Sequence, residues 1–183
     1  MSDLARVLMV CTGNICRSPA MHYLAAREWA GAAEVTSAGT HAETGMDATP
    51  EIRRSAAAYG VTFPRHRPTQ LTAALVSRAD LVLVATESHA RWIAGEMGGM
   101  PPHVFGLKEA AELARRADAP AGASDAERLR NAAAALRAEQ DREPAPLCSL
   151  DDPWARDRAT YDRVMGEIVD AVSTLTHWAA LNQ

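Results

Sequence analysis

Apolar residues along this chain follow two rhythms. Val7-Leu8-Met9-Val10 is a short uninterrupted apolar run closed by Thr12-Gly13-Asn14. A run of that length bounded by turn residues predicts a strand buried on both faces. Leu81-Val82-Leu83-Val84, introduced by Ala79-Asp80, predicts a second strand of the same kind. Residues 34–37 and 102–106 predict two shorter ones. Between them the period changes to 3.6 residues. Ser18 as cap and Pro19 as first helical residue open a helix carrying Met21, Leu24, Ala25 and Trp29 on one face, with Gly31 as its stop. Thr49-Pro50-Glu51 opens another helix, which ends at Tyr59-Gly60, and residues 87–97 predict a third. From 157 to 181 a stripe of Tyr161, Val164, Met165, Ile168, Val169, Val172, Leu175 and Trp178 predicts a closing amphipathic helix whose apolar face is core.

Strands that alternate with helices, some of them continuous apolar runs, define an α/β fold with a parallel sheet and helices on both faces. In such sheets ligands sit beyond the carboxyl ends of the strands, and the turn after Val10 is such a place. Residues 108–146 break the rhythm. They are rich in Ala and charge, interrupted at 118–124, with a capping box at Ser124-Asp125-Ala126-Glu127 that predicts a helix to about Gln140. This stretch reads as a solvated helical insertion within one domain spanning 1–183. No internal repeat is present.

Composition narrows the function classes. The 183 residues are 48% hydrophobic and 23% charged, a globular balance. A net charge of −4 gives no overall attraction to nucleic acid or an anionic membrane, so an anion site must be built locally. No apolar run approaches the length of a membrane span, and the opening Met-Ser-Asp-Leu-Ala-Arg lacks a signal-peptide pattern. The three cysteines, Cys11, Cys16 and Cys148, are too few and too scattered for a disulfide framework or a four-ligand zinc set. They point to a reducing cytoplasm and to no metal.

The segment that carries chemistry is Cys11-Thr12-Gly13-Asn14-Ile15-Cys16-Arg17-Ser18-Pro19, between a buried strand and a helix. Backbone N–H groups from Thr12 to Arg17 can converge on one point, where the helix dipole adds positive potential. Gly13 and Asn14 permit the backbone conformations such a turn needs. Arg17 can grip two oxygens of a phosphoryl group with its planar fork. The same field lowers a thiol pKa, so Cys11 would be the nucleophile and phosphocysteine the intermediate. Ser18 can hydrogen-bond the sulfur and help it leave. No cofactor is required, since the loop and Arg17 supply the charge a metal would.

These residues resemble the signature of the low-molecular-weight protein tyrosine phosphatases. The resemblance continues through Ser37-Ala38-Gly39-Thr40, Gly45-Met46-Asp47, His66 with Gln70-Leu71, and Ala79-Asp80-Leu81-Val82-Leu83. It implies a three-layer sandwich with a four-stranded parallel sheet and the phosphate-binding loop after the first strand. It also implies a general acid in the Asp152-Pro153 pair, a role one carboxyl facing an anion site can fill as acid and then base. Asn14, Ser37 and His66 would hold the loop in shape, and Cys11 and Cys16 would form a reversible protective disulfide. The chain departs from the family at the substrate slot. Where relatives often carry an aromatic residue after Ser-Ala-Gly-Thr, it has His41, Ala42, Glu43 and Thr44; where two tyrosines commonly follow Asp-Pro, it has Trp154-Ala155. Ile15, Glu43 and Trp154 are therefore the expected slot.

The expected substrate is a phosphotyrosine protein or a small aryl phosphate, with inorganic phosphate and other oxyanions binding the loop. Other readings are a phosphatase of a small phosphorylated metabolite, an arsenate reductase, an arginine phosphatase, or an inactive phosphate-binding module. An arsenate reductase needs relay cysteines that 86–100 lacks. Arginine phosphatases of this type carry Thr where Ile15 stands. A pure binder would not need Asp152.

Overall fold

The computed structural model describes residues 4–181; the two extremes of the expected 1–183 domain, residues 1–3 and 182–183, lie outside the described residues. Four strands form one parallel sheet: β1 (Ala5–Cys11), β2 (Ala33–Gly39), β3 (Leu81–Val84) and β4 (Val104–Gly106), in the order β2-β1-β3-β4. Seven helices accompany them among the described residues: α1 (Arg17–Glu28), α2 (Pro50–Ala57), α3 (Ala73–Arg78), α4 (Glu87–Met97), α5 (Leu107–Ala114), α6 (Asp125–Arg142) and α7 (Arg158–Trp178).

Alternation along the strands sorts the helices into two layers. Val7, Met9 and Cys11 of β1, with Leu81, Leu83 and Phe105, join the core that α1, α2, α5, α6 and α7 cover. Leu8, Val10, Val82, Val84 and Val104 face the other way, onto Val76 of α3 and Ala90 and Ile93 of α4. This is the expected three-layer α/β sandwich. The helices on the larger side lock together through side chains of distant sequence. Trp29 closes α1, is 1% exposed, and donates its indole N–H to Thr176 Oγ1 of α7 at 2.8 Å. Burying an aromatic of this size stabilises by several kcal/mol, so truncating Trp29 to Ala should cost about 3–5 kcal/mol.

Helix starts follow local chemistry where a cap is present. Thr49, Thr72, Ser124 and Asp157 each accept a backbone N–H of the first turn, at α2, α3, α6 and α7. Two expectations need correction. Ser18 does not cap α1: the helix begins at Arg17, behind Cys16, and the Ser18 hydroxyl turns inward to the loop. The segment over 108–146, expected to be solvated, instead buries one face of each of its helices in the core while 118–124, Pro120 apart, stays exposed. α5 buries Leu107, Ala110, Ala111 and Leu113, and α6 buries Leu129, Ala132, Ala133 and Leu136. Their faces are built mainly of Ala, which packs closely but leaves only a faint apolar stripe in the sequence.

The sheet sets the site by bringing three strand ends to one edge. Cys11 pairs with Gly39, and Val10 pairs with Val84. Gly39 is required by contact: a Cβ there would stand 2.2 Å from the carbonyl oxygen of Thr12 and 2.9 Å from Asn14 N. The end of β2 therefore runs directly against the loop leaving β1.

Candidate active site

The loop from Cys11 to Arg17 is held by its carbonyls. Cys11, Thr12, Gly13 and Ile15 accept from the N–H groups of Thr40, His41, Glu43 and Thr49 at 2.9–3.0 Å. With the carbonyls turned outward to the 40–49 segment, the N–H groups of Gly13 to Cys16 donate to no backbone carbonyl among the described residues. They are left to serve an anion at the start of α1.

Asn14 is the hub of this turn. It is fully buried with φ 55°, a left-handed conformation that Asn tolerates better than most residues. Its Nδ2 donates to Ser18 Oγ at 2.8 Å and Ser37 Oγ at 3.0 Å, and its Oδ1 accepts from Thr69 N at 2.9 Å. Its carbonyl lies 2.9 Å from His66 Nε2, whose other nitrogen meets Tyr23 OH at 3.0 Å. Because a carbonyl can only accept, His66 carries its proton on Nε2, and its Nδ1 accepts a hydrogen bond from the Tyr23 hydroxyl. Burial lowers the His66 pKa, against the opposing pull of the Asn14 carbonyl. Ser37 also meets His22 Nδ1 at 3.1 Å, and burial, with His66 nearby, lowers the His22 pKa to about 4.

Cys11 Sγ lies 2.9 Å from Ser18 Oγ. Ser18 Oγ accepts from Asn14, and its single proton has two acceptors in reach, the sulfur at 2.9 Å and the more distant Ala38 carbonyl at 3.5 Å. Arg17 is 4% exposed. Its guanidinium meets Asp152 Oδ2 at 2.9 Å and donates to the Leu150 carbonyl at 3.2 Å. Its buried Nε has no hydrogen-bond partner among the described residues. Asp152 is 55% exposed, whereas Asp151 turns away to Arg163 at 2.7 Å. Cys16 is buried, 3.5 Å from Thr49 Oγ1, and burial raises its pKa to about 11. Cys11, Cys16 and Cys148 are free thiols.

A cleft of about 120 Å³ above the loop is lined by Cys11, Thr12, Gly13, Ile15, Cys16, Arg17, Glu43, Asp152 and Trp154. Residues far apart in the sequence thus meet in one place: the loop, Asp152, and the expected slot residues Ile15, Glu43 and Trp154. Asn14, Ser18, Ser37 and His66 stand behind it. In a larger cleft of about 690 Å³, lined among others by Lys108, Arg115, Arg163 and Glu167, these charges pair with one another or with Glu112, Asp151 and Asp170. The sequence reading missed His22, Tyr23, Thr69 and His89. The last, from α4, lies 2.8 Å from Thr12 Oγ1. None has a local signature; each matters only through the fold. No group of three or more metal-ligating side chains is found among the described residues, nor a helix long and apolar enough to cross a membrane.

A parallel α/β sandwich with a Cys-x5-Arg loop at the start of its first helix defines a class of phosphatases. Comparison with known proteins places the chain within it. The model of the low molecular weight phosphotyrosine protein phosphatase family matches residues 6–122. A probable low molecular weight protein-tyrosine-phosphatase, EpsP of Ralstonia nicotianae, is 40% identical over 103 residues, covering 56% of this chain and 70% of that protein. A protein-arginine-phosphatase of Bacillus subtilis is 37% identical over 107 residues, with the same coverage of 56% and 70%. Among solved structures, the Erwinia amylovora tyrosine phosphatase amsI shares the fold with a TM-score of 0.72 at 21% identity, covering 98% of this chain and 95% of that one. The chain belongs to the low molecular weight phosphotyrosine protein phosphatase family, and is a phosphoric monoester hydrolase of that type.

Proposed function

We propose that the chain dephosphorylates phosphotyrosine in proteins through a phosphocysteine formed on Cys11. The observation that carries this reading is the meeting of Cys11, Arg17 and Asp152 in one small cleft at the carboxyl edge of the sheet. The phosphoryl group sits over the loop, with N–H groups of the loop and the Arg17 guanidinium on its non-bridging oxygens. Cys11 Sγ attacks phosphorus as the ester bond breaks, and Asp152 gives its proton to the departing oxygen. Water then attacks the phosphocysteine, Asp152 takes its proton, and Ser18 donates to the sulfur as it leaves.

The half-exposed position of Asp152 suits this double task. Arg17 is buried, but its partner carboxylate is half in solvent, so water can stabilise Asp152 when another anion takes its place on the guanidinium. A dianionic phosphoryl group competes for Arg17 and leaves Asp152 beside the bridging oxygen.

Ile15 and Trp154 give the cleft apolar surface suited to an aryl ester, and Glu43 places a carboxylate on its rim. The relatives named as tyrosine phosphatases support phosphotyrosine; the named arginine phosphatase makes phosphoarginine the comparison to run. The free thiols support a reducing, cytoplasmic setting. The test is kcat/KM for phosphotyrosine, phosphoserine and phosphoarginine in one peptide context. Phosphotyrosine should lead. Equal rates on phosphotyrosine and phosphoserine would contradict the aryl slot, and a preference for a small phosphorylated metabolite would move the substrate away from proteins.

A further inference from the structure

The amino end of α4 touches the phosphate loop in a way the reaction above does not use. Thr86 N–H donates to His89 Nδ1 at 3.1 Å, and His89 Nε2 lies 2.8 Å from Thr12 Oγ1. Thr86 Oγ1 also lies 3.0 Å from Nδ1 and can donate to it or accept from it, so the backbone contact decides the tautomer. An N–H aimed at Nδ1 needs a lone pair there, so a neutral imidazole carries its proton on Nε2. Nε2–H then donates to Thr12 Oγ1. A hydroxyl oxygen that accepts from His89 keeps its own proton for another acceptor. Thr12 is exposed and lines the cleft beside Cys11, Arg17 and Asp152. His89 itself is 3% exposed. Burial and the Arg17 charge lower its pKa to about 4, against Asp152 and with a smaller contribution from His41, so it stays neutral near pH 7.

We propose that His89 is a positioning residue that, through its Nε2–H, aims the Thr12 hydroxyl as a donor at the phosphoryl group seated over Cys11. The inference rests on the reading of the Cys11 loop as the phosphoryl site. It adds one side-chain donor to the backbone donors of the loop. The same stretch of chain also anchors the acid loop: Ala85 O accepts from Leu150 N at 2.8 Å, and Glu87 N donates to Ser149 Oγ at 3.3 Å. The start of α4 therefore holds the loop of the nucleophile and the loop of the acid in one register.

His89 could instead act only as a cap of α4, so the test must read the cleft rather than stability. Inorganic phosphate is the probe, as competitive inhibitor of p-nitrophenyl phosphate turnover. A hydrogen bond to a charged group is worth roughly 1.5–3 kcal/mol, so Thr12→Val should weaken phosphate inhibition and lower kcat/KM by about 10- to 100-fold. Thr12→Ser, which keeps the hydroxyl, should recover most of the loss. His89→Leu should reproduce part of it, His89→Gln should retain more activity than His89→Leu, and Thr12→Val with His89→Leu should lose no more than Thr12→Val alone. Unchanged phosphate inhibition in Thr12→Val, or losses that multiply in the double variant, would overturn the proposal. Should His89→Leu fail to fold, nitrogen-15 NMR of the wild type decides: a protected Nε2–H sustains the proposal and an Nδ1–H tautomer overturns it. Turnover that survives Cys11→Ser would sink the loop reading itself, whereas an unaffected Thr12→Val in an enzyme that needs Cys11 sinks only the role of His89.

Discussion

Asn14→Ala isolates the feature on which the loop's shape depends. The side chain makes three hydrogen bonds, to Ser18 Oγ, Ser37 Oγ and Thr69 N, at 2.8–3.0 Å in a buried setting. Removing a partner from a buried polar group costs about 1–3 kcal/mol. The two serine hydroxyls can rotate toward other partners, so the lower end applies, giving about 3 kcal/mol for the set. The position also has φ 55°, a left-handed conformation that Asn tolerates and Ala does not, a difference of about 1 kcal/mol. The expected loss is about 4 kcal/mol out of the 5–15 kcal/mol usual for a domain. Urea unfolding of wild type, Asn14→Ala and Asn14→Gly measures it. Gly loses the same hydrogen bonds but not the backbone penalty, so Asn14→Gly should be about 1 kcal/mol more stable than Asn14→Ala. Both should lose activity, because Ser18 is then free to turn from Cys11. A loss below 1 kcal/mol in Asn14→Ala, or a Gly variant less stable than the Ala variant, would refute the reasoning.

Other consequences are as direct. Asp152→Asn should lower kcat by roughly 10²–10⁴ on esters of poor leaving groups and less on p-nitrophenyl phosphate, while Asp151→Asn, whose parent carboxylate faces Arg163, should do little; exchanged phenotypes would reverse the assignment. Stability should fall as pH drops from about 6.5 toward 4. His22 and His89, both held at a pKa of about 4 chiefly by burial, stay neutral in the fold while the unfolded chain takes up protons there, a loss of up to roughly 3 kcal/mol each. Denaturation midpoints that hold steady or rise over that range would contradict their buried, neutral state. Glu43→Gln should raise kcat/KM for phosphotyrosine peptides flanked by acidic residues relative to basic ones, read as the ratio of the two at low salt; an unchanged ratio would mean the carboxylate does not face the bound peptide.

Legibility in the sequence tracked how local each physical signal is. The β3 strand and α4 were readable to the residue, because an apolar run bounded by Asp80 and a period from Glu87 are complete in themselves. The loop was readable because nucleophile, turn residues and Arg17 are consecutive. Asp152 needed the resemblance, since nothing near it in sequence says what it faces. α3 leaves no signal of its own in the sequence: its six residues are too few to establish a period, and only Thr72 marks its start. The sequence predicts α6 as a helix but as a solvated one, because Ala132 and Ala133 bury little area and carry little pattern. His22, Tyr23 and His89 act across separations of 15, 43 and 77 residues, which only the folded chain can reveal.

The central claim is that Cys11 carries the phosphoryl group between substrate and water. The direct measurement is rapid quenching of the enzyme during turnover of p-nitrophenyl phosphate, in wild type and in Asp152→Ala, followed by mass spectrometry of the Cys11 peptide. In Asp152→Ala the second step is slowed, so a phosphoryl adduct should accumulate on Cys11 to a larger fraction than in wild type, with a burst of p-nitrophenol matching the adduct. A steady turnover with no adduct and no burst, or an adduct mapped to Cys16, Cys148 or any other residue, would contradict the account.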